Sequence, residues 1–272
     1  MPDIPVSLPP SLSISLVTFC PDRDELTLTL QSLERACRRL SGWVIQLYLV
    51  DNTPPAESPS WLGEIARKAS ATLVAGHGNV GFGAGHNMVL EHSADYHLIL
   101  NPDVVMEEAS LAAGLVFMAA HPDCALLSPA AEWADGRRQY LCKRFPTVLD
   151  LLLRGFSPKF MHKLFRRRLA AYEMQDLIGE TVVWDPPIVS GCFMLFRGAI
   201  LRALGGFDPR YFLYFEDFDL SLRTGTMARL AYVPEVRIVH FGGHAARKGW
   251  SHVRMFARSA LTFFNLHGWR WW

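Results

Sequence analysis

The sequence predicts an α/β fold, a mostly parallel mixed sheet flanked by helices, and three observations carry that prediction. Short runs of strand formers alternate with helical patterns from Leu12 to Ala75. The spacing leaves room for crossover helices, which makes neighbouring strands parallel. Hydrophobic residues make up 50% of the 272 residues, ample for one large core.

Residues 1–11 are rich in Pro and Ser and read as a flexible lead-in. Leu12–Phe19 alternates in polarity and forms the first strand. Asp24 is placed to cap the next helix, whose Leu26, Leu30, Leu33 and Cys37 share a face. Val44–Asp51 is the second strand and ends on an acid. Asn52-Thr-Pro-Pro stops it, a short helix runs from Trp61 to Lys68, and Ala71–Ala75 is the third strand. Ligands of such sheets sit beyond the strand C-termini, which gathers Cys20, Asp51 and the loop after strand three.

That loop, Gly76–Asn87, holds glycines that let backbone approach a ligand, while Asn79, His86 and Asn87 offer polar contacts. Gly76, Gly78 and Gly81 match the dinucleotide spacing GxGxxG, but that fingerprint belongs after the first strand, not the third. A Gly-rich turn opening a helix is the competing explanation. Tyr96–Asp103 is an apolar strand whose tip carries Asn101 and Asp103. A carboxylate beside another oxygen donor suits a hard divalent ion that binds phosphate oxygens; the plainer reading is an Asx turn. A helix over Glu107–Ala120 and a strand over Cys124–Pro129 follow.

From Trp133 to Asp185 the pattern loosens. Lys159–Tyr172 is basic and amphipathic, with Phe160, Leu164 and the stem of Arg168 on one face. It fits a solvated helix over the core and a helix lying on an anionic membrane surface equally well. Val182–Asp185 and Ile188–Phe196 read as strands, with small residues at Ser190-Gly191-Cys192 where the second passes close to a ligand or another backbone.

The most chemical stretch is Gly205–Arg223, where Glu216, Asp217 and Asp219 fall within four positions. Carboxylates so close repel, so each needs a cation, a proton or an arginine. A helix over Phe215–Thr224 places Phe215, Phe218 and Leu222 on a buried stripe and pairs Asp219 with Arg223. Glu216 and Asp217 then lie in the first turn and face whatever lies beyond the helix N-terminus, although acids favour a helix start on electrostatic grounds alone. Leu230–Val233 and Val236–Val239 are two short strands around Pro234 that deliver His240. A basic loop through Arg247 and Lys248, a helix over Trp250–His267 and a Trp-rich tail end the chain.

A net charge of +1 gives no field that recruits nucleic acid. Five scattered cysteines without a CxxC pair point to reduced thiols in the cytoplasm and against structural zinc. No signal-peptide pattern and no membrane-length apolar run are present. A cytoplasmic protein is expected, peripheral to the inner face of the plasma membrane if the basic segment meets lipid. Nothing in the sequence sets the oligomeric state.

Val17-Thr-Phe19, Val50-Asp-Asn52, Asn79–Asn87, Leu100-Asn-Pro-Asp103, Ser190-Gly-Cys192, Gly206-Phe-Asp208, Phe215–Leu220 and His240 occur in an order that resembles the family 2 inverting glycosyltransferases, within them the bacterial rhamnosyltransferase-like branch. The resemblance spans about residues 12–265. It implies a single domain of GT-A type with a Rossmann-like nucleotide-binding sheet. Residues 12–130 would bind the nucleotide sugar and 131–265 the acceptor, with a basic helical insert at 147–176 and a tail at 266–272. Thr18, Phe19 and Asp51 would hold the donor, Asp51 on its base, with Asn79, Gly81, Phe82, Gly83 and Asn87 lining base and ribose. Asp103 stands at the metal carboxylate of the DxD motif, for Mg²⁺ or Mn²⁺, and His240 completes that site. Asn101 replaces the motif's first Asp, on the donor side, and Cys20 replaces a more usual Asn. Asp217 matches the catalytic base, Glu216 stands beside it, and Ser190, Gly191 and Glu216 would meet the acceptor. The implied substrates are a nucleotide-diphosphate sugar, dTDP-rhamnose foremost, and a saccharide or lipid-linked acceptor in cell-surface polysaccharide synthesis.

The chemistry agrees with the residues. A departing nucleoside diphosphate gathers negative charge that a metal neutralises, and a sugar hydroxyl needs a base as it attacks. Three rivals are weighed against this. A sugar-nucleotide nucleotidyltransferase needs a Gly-rich, basic loop after strand one, where Cys20-Pro-Asp-Arg23 has no glycine. An NAD-dependent oxidoreductase rests on the displaced GxGxxG. A catalytically inactive nucleotide-sugar-binding subunit conflicts with an intact Glu216-Asp217 pair.

Overall fold

The computed structural model describes residues 9–242 and 249–272, apart from the side chains of Phe156 and Lys159. The first eight residues of the expected lead-in, and Arg247 and Lys248 of the expected basic loop, lie outside the described residues.

The N-terminal half alternates strictly: β1 (Ser11–Thr18), α1 (Arg23–Cys37), β2 (Val44–Asp51), α2 (Leu62–Lys68), β3 (Ala71–Val74), α3 (Phe82–Asn87) and β4 (Tyr96–Leu100). These strands lie in the order β3-β2-β1-β4, all parallel. Leu12, Ile14 and Leu16 of β1 share one core with Leu26, Leu30 and Leu33 of α1. Asp22, not Asp24, caps α1. Its extended backbone lets the carboxylate accept the N–H groups of Asp24 and Glu25 at 2.9 and 3.0 Å, while Asp24 is already inside the first turn.

The alternate residues of β1 do something the strand pattern does not reveal. Ser13 Oγ meets His97 Nδ1 at 2.7 Å, His97 Nε2 meets Ser15 Oγ at 2.9 Å, and Ser15 Oγ meets His86 Nδ1 at 2.7 Å. Burial holds both imidazoles neutral, pulling the pKa of His97 down to about 4 and that of His86 well below its usual value. His86 thus lies under the sheet and does not face a ligand from the loop.

The second half adds β5 (Val104–Met106), α4 (Ser110–Ala120), β6 (Cys124–Glu132), β7 (Arg138–Gln139), β8 (Cys142–Lys143), α5 (Val148–Phe156), α6 (Lys159–Leu164) and α7 (Arg166–Tyr172). Then come β9 (Val183–Trp184), β10 (Ile188–Val189), β11 (Phe193–Arg197), α8 (Gly198–Ala203), α9 (Glu216–Gly225), β12 (Arg229–His240) and α10 (Trp250–His267). The sheet continues from β4 as β11-β6-β12-β5. β11 runs antiparallel to both neighbours, and its register sets Phe193 opposite Leu100. The residues entering β11 therefore lie beside the tip of β4. That reversal builds the site.

Four expectations change. The strand expected to reach Asp103 stops at Leu100, and the chain returns as β5. The expected strand Ile188–Phe196 breaks at Ser190–Cys192, so β10 pairs with β8 in a separate ribbon. β12 is continuous through Pro234, because a bulge between Val233 and Arg237 removes the need for a proline N–H. The basic segment is two helices that part at Phe165, and Arg168 turns from the Phe160 and Leu164 face to pair with Asp150 at 2.6 Å.

A separate, largely aromatic core joins α9, α10 and α5 through Leu151, Ile188, Tyr211, Phe215, Phe263 and Phe264. Phe215 sits 5.1 Å from the Phe218 and Phe256 rings and 5.2 Å from Phe263. Tyr214 and Phe215 enter α9 with φ of 72° and 67°, the left-handed region. Each such bulky residue costs about 1–3 kcal/mol, and full burial of one Phe returns about 1.5–3 kcal/mol. The aromatic cluster can hold this strained entry, which fixes how the first turn of α9 is aimed.

Candidate active site

Each of the three carboxylates of α9 is held in a different way. Asp219 accepts from Arg223 Nε at 2.7 Å and lies 2.8 Å from His267 Nε2. Arg223 also donates to the Leu204 and Gly206 carbonyls, so Asp219 and Arg223 tie α9 to its neighbours. The expected Asp219–Arg223 pair is present and structural. Asp217 accepts the Gly191 N–H at Oδ2, 2.9 Å, and the Phe218 N–H at Oδ1, 3.0 Å. Burial raises its pKa, against the pull of these two donors and of Lys143. Glu216 is buried, and its Oε2 has no hydrogen-bond partner among the described residues. Burial and then the Asp217 charge push its pKa up to about 8. At neutral pH the adjacent pair therefore favours a proton on Glu216 and a charge on Asp217, where the donors are.

Ser190-Gly191-Cys192, the segment between β10 and β11, bridges two clusters. At Gly191 it grips Asp217. At Cys192 its carbonyl accepts the Asn101 N–H at 2.9 Å. A side chain on Gly191 would come within 3.2 Å of both Asp217 Cβ and Phe82 Cε1, so only glycine lets the three meet without adjustment. Beyond Asn101 lie Asp103 and, from the end of β12, His240 with Nε2 at 3.4 Å from Asp103 Oδ1.

The residues around Asp103 fit a divalent cation. Among the described residues, the buried oxygens Asn101 Oδ1 and Asp103 Oδ1 have no hydrogen-bond partner. His240 Nδ1 faces Gln139 Oε1 at 3.0 Å, which leaves Nε2 toward Asp103. Burial opposes the His240 charge, but Cys192 and Asp103 favour it and push its pKa up to about 10. The spot thus already favours positive charge. Among the described residues no three His, Cys, Asp or Glu side chains gather as a complete ligand set. Two oxygens and an imidazole would suit an ion that takes its remaining ligands from water and phosphate.

The donor-side expectations divide. Thr18 and Asp51 are buried at the tips of β1 and β2, and Phe19 is exposed. Asp51 holds the following loop, accepting from Thr53 N at 3.0 Å, Thr18 Oγ1 at 3.3 Å and Ser58 Oγ at 2.5 Å. Asn79 accepts the Gly81 N–H at 3.0 Å. Gly81, at φ 93°, presses on the Phe212 carbonyl, where a Cβ would come within 2.2 Å. Gly83 packs against Phe207, where a Cβ would come within 2.7 Å of the Phe207 Cβ. The Asn87 amide spends both ends on the Phe207 main chain, at 2.7 and 2.9 Å. Gly81, Gly83 and Asn87 therefore dock the loop onto Phe207 and Phe212, while Asn79 closes a turn within the loop. Phe82 is the loop residue carried to Asp217.

Sequence reasoning missed Lys143 and Tyr172, which lie near Asp217, and Arg154, which lies beside both; all three come from the irregular stretch. It also missed Gln139, which orients His240. A cavity of about 430 Å³ between α1, β2 and α2, lined by Leu30, Cys37, Ile65 and Lys68, includes none of the expected site residues.

No family model matches the chain. It is 26% identical over 279 aligned residues to the N-acetylglucosaminyl-diphospho-decaprenol L-rhamnosyltransferase of Mycobacterium tuberculosis, covering 96% of this chain and 86% of that protein. The Escherichia coli rhamnosyltransferase WbbL is 28% identical over 185 residues, 64% of this chain and 66% of that one. Among solved structures, GalNAc-T7 with UDP, GalNAc and Mn²⁺ superposes with a TM-score of 0.62 at 15% identity, over 86% of this chain and 43% of that chain. The fold is GT-A. In sequence the chain is rhamnosyltransferase-like.

Proposed function

We propose that this protein is an inverting glycosyltransferase of family 2 that moves L-rhamnose from dTDP-rhamnose to a saccharide on a lipid carrier, in synthesis of a cell-surface polysaccharide. The observation that carries the reading is the Ser190–Cys192 bridge, which sets Asp217 on one side and Asn101, Asp103 and His240 on the other. The rhamnosyltransferase relatives support the choice of sugar, and the diphospho-decaprenol in one relative's name supports a lipid-linked acceptor.

In this reading Asp217 takes the proton of the acceptor hydroxyl as that oxygen attacks the anomeric carbon from the face opposite the diphosphate. The Gly191 and Phe218 N–H groups keep the carboxylate ionised and aimed, and protonated Glu216 keeps a second charge out of the site. Asn101, Asp103 and His240 would hold Mg²⁺ or Mn²⁺, which when bound neutralises charge on the departing diphosphate. A single base and a single displacement give inversion.

Attachment to the inner membrane face belongs to the same proposal. Phe160 and Leu164 of α6 are 69% and 72% exposed, and Lys163, Arg166 and Arg167 beside them are exposed too. No described helix is long and apolar enough to cross a membrane.

The test is to incubate purified protein with Mg²⁺ or Mn²⁺, a diphosphate-linked N-acetylglucosamine and dTDP-rhamnose, UDP-sugars or GDP-sugars, and to read the product by NMR. Transfer from dTDP-rhamnose with inverted anomeric configuration is expected. Retention of configuration, or turnover with another donor alone, contradicts it. Donor binding without any turnover would favour the inactive binding subunit.

A further inference from the structure

Beside Asp217 lies a polar cluster that the transfer step leaves unused. Lys143 is 6% exposed, donates only to the Tyr140 carbonyl at 3.0 Å, and makes no ion pair with a carboxylate among the described residues. Burial, and then the nearby Arg154 guanidinium, pulls its pKa down to about 8. Tyr172 is 4% exposed, and its hydroxyl has no hydrogen-bond partner among the described residues. Arg154 reaches the Glu173 carboxylate only at 3.8 Å.

Three elements bring these groups together. Lys143 of β8 pairs with Ile188 of β10, just ahead of the bridge that grips Asp217. The Arg144 N–H donates to the Tyr172 carbonyl at 2.9 Å, which seats the end of α7 against β8. Arg168, bonded to Asp150 and Thr147, holds α7 to α5, the helix that carries Arg154. Lys143 and Tyr172 each feel both Arg154 and Asp217. The Glu173 and Asp217 carboxylates oppose that shift of Lys143, yet among the described residues neither accepts a hydrogen bond from its ammonium, which keeps donors to spare beside the unpartnered Tyr172 hydroxyl. Phosphate oxygens accept charge-assisted hydrogen bonds from all three groups.

We propose that Lys143, Arg154 and Tyr172 form a subsite for the phosphates of a diphosphate-linked acceptor, holding that substrate so that its sugar hydroxyl meets Asp217. The proposal rests on the lipid-linked acceptor of the function proposed above. It is separate from the Asp103 group, which meets the bridge at Cys192, whereas this cluster lies at its Ile188 end.

The experiment is calorimetric titration in excess EDTA, so that no divalent cation on the donor side can hold phosphate. The probes are a short-chain alkyl diphosphate of N-acetylglucosamine, the corresponding alkyl glycoside without phosphate, and inorganic pyrophosphate. The wild type is expected to bind the diphosphate glycoside at least about tenfold more tightly than the neutral one. Arg154→Gln, at a half-exposed position, and Tyr172→Phe should each remove most of that preference and leave affinity for the neutral glycoside unchanged. Lys143→Gln should do the same if melting curves show that it folds. Equal affinity of the wild type for both glycosides overturns the subsite, as does a preference that survives in both Arg154→Gln and Tyr172→Phe. Pyrophosphate binding as tightly as the diphosphate glycoside overturns its assignment to the acceptor. Binding is read without turnover, so a preserved preference beside failed rhamnose transfer would count against the donor reading and not against this subsite.

Discussion

Gly191 and Asp217 are locked by one hydrogen bond and one steric limit. The Gly191 N–H donates to Asp217 Oδ2 at 2.9 Å, and a methyl group on Gly191 would stand 3.2 Å from Asp217 Cβ. Gly191→Ala should therefore shift the carboxylate and Phe82 by a few tenths of an ångström. Turnover should fall about 10- to 100-fold, because small misplacements of reacting groups are costly. Stability should fall by about 1–3 kcal/mol, the usual cost of mild overpacking. Steady-state kinetics beside thermal melts separates the two effects. A variant with wild-type turnover would show that this contact does not aim the carboxylate.

Removal of divalent metal should abolish turnover, and Mg²⁺ or Mn²⁺ should restore it. Among the described residues Asn101 Oδ1 is buried without a hydrogen-bond partner and Asp103 Oδ1 meets only His240 Nε2, at 3.4 Å, an arrangement that a cation improves. Asp103→Ala should chiefly weaken donor affinity, read as a rise in the donor dissociation constant of about tenfold or more. Full activity in excess EDTA contradicts the assignment.

Glu216 should make stability depend on pH. Its folded pKa, about 8, lies above the value of an unfolded glutamate, so the folded chain holds a proton that the unfolded chain releases. That contribution is complete at pH below the usual glutamate range and is lost as pH rises through about 8. Glu216→Gln cannot ionise. Relative to wild type it should gain stability steadily across that window, by an amount on the order of a few kcal/mol in all. Denaturant titrations at several pH values would test this, and parallel curves for the two proteins would contradict it.

Much of this was legible in the sequence. The β1-to-β3 spacing predicts the parallel half of the sheet, and the four-residue spacing of Asp219 and Arg223 predicts their ion pair. What the sequence hides is set by partners far away in the chain. Nothing near Asn87 in the sequence shows that Phe207, 120 residues later, takes both ends of its amide. Lys143 and Tyr172 sit in a stretch without clear periodicity, and only the pairing of β8 with β10 brings them toward Asp217. The antiparallel entry of β11 is equally invisible locally, because strand patterns carry no direction. Asp22 and Asp24 compete for one cap, and backbone conformation alone decides between them.

Membrane attachment predicts a dependence on charge. Each basic residue near an anionic bilayer contributes about 1 kcal/mol, so replacing Lys163, Arg166 and Arg167 with Gln should cut liposome binding by about 100-fold at low salt. Flotation with anionic and with neutral vesicles measures this. Equal flotation of wild type and triple variant would place the contact elsewhere.

The central claim is that Asp217 is the base, and one pair of numbers on Asp217→Asn tests it most directly. The asparagine keeps the size and most hydrogen bonds of the aspartate but takes no proton at neutral pH. A base acts only in the transition state, so turnover should drop by at least about 10²- to 10⁴-fold while the donor dissociation constant stays nearly unchanged. Glu216→Gln, measured alongside, should lose less. Near wild-type turnover in Asp217→Asn, or a loss explained wholly by weaker donor binding, would contradict the account and move the search for the base to Glu216.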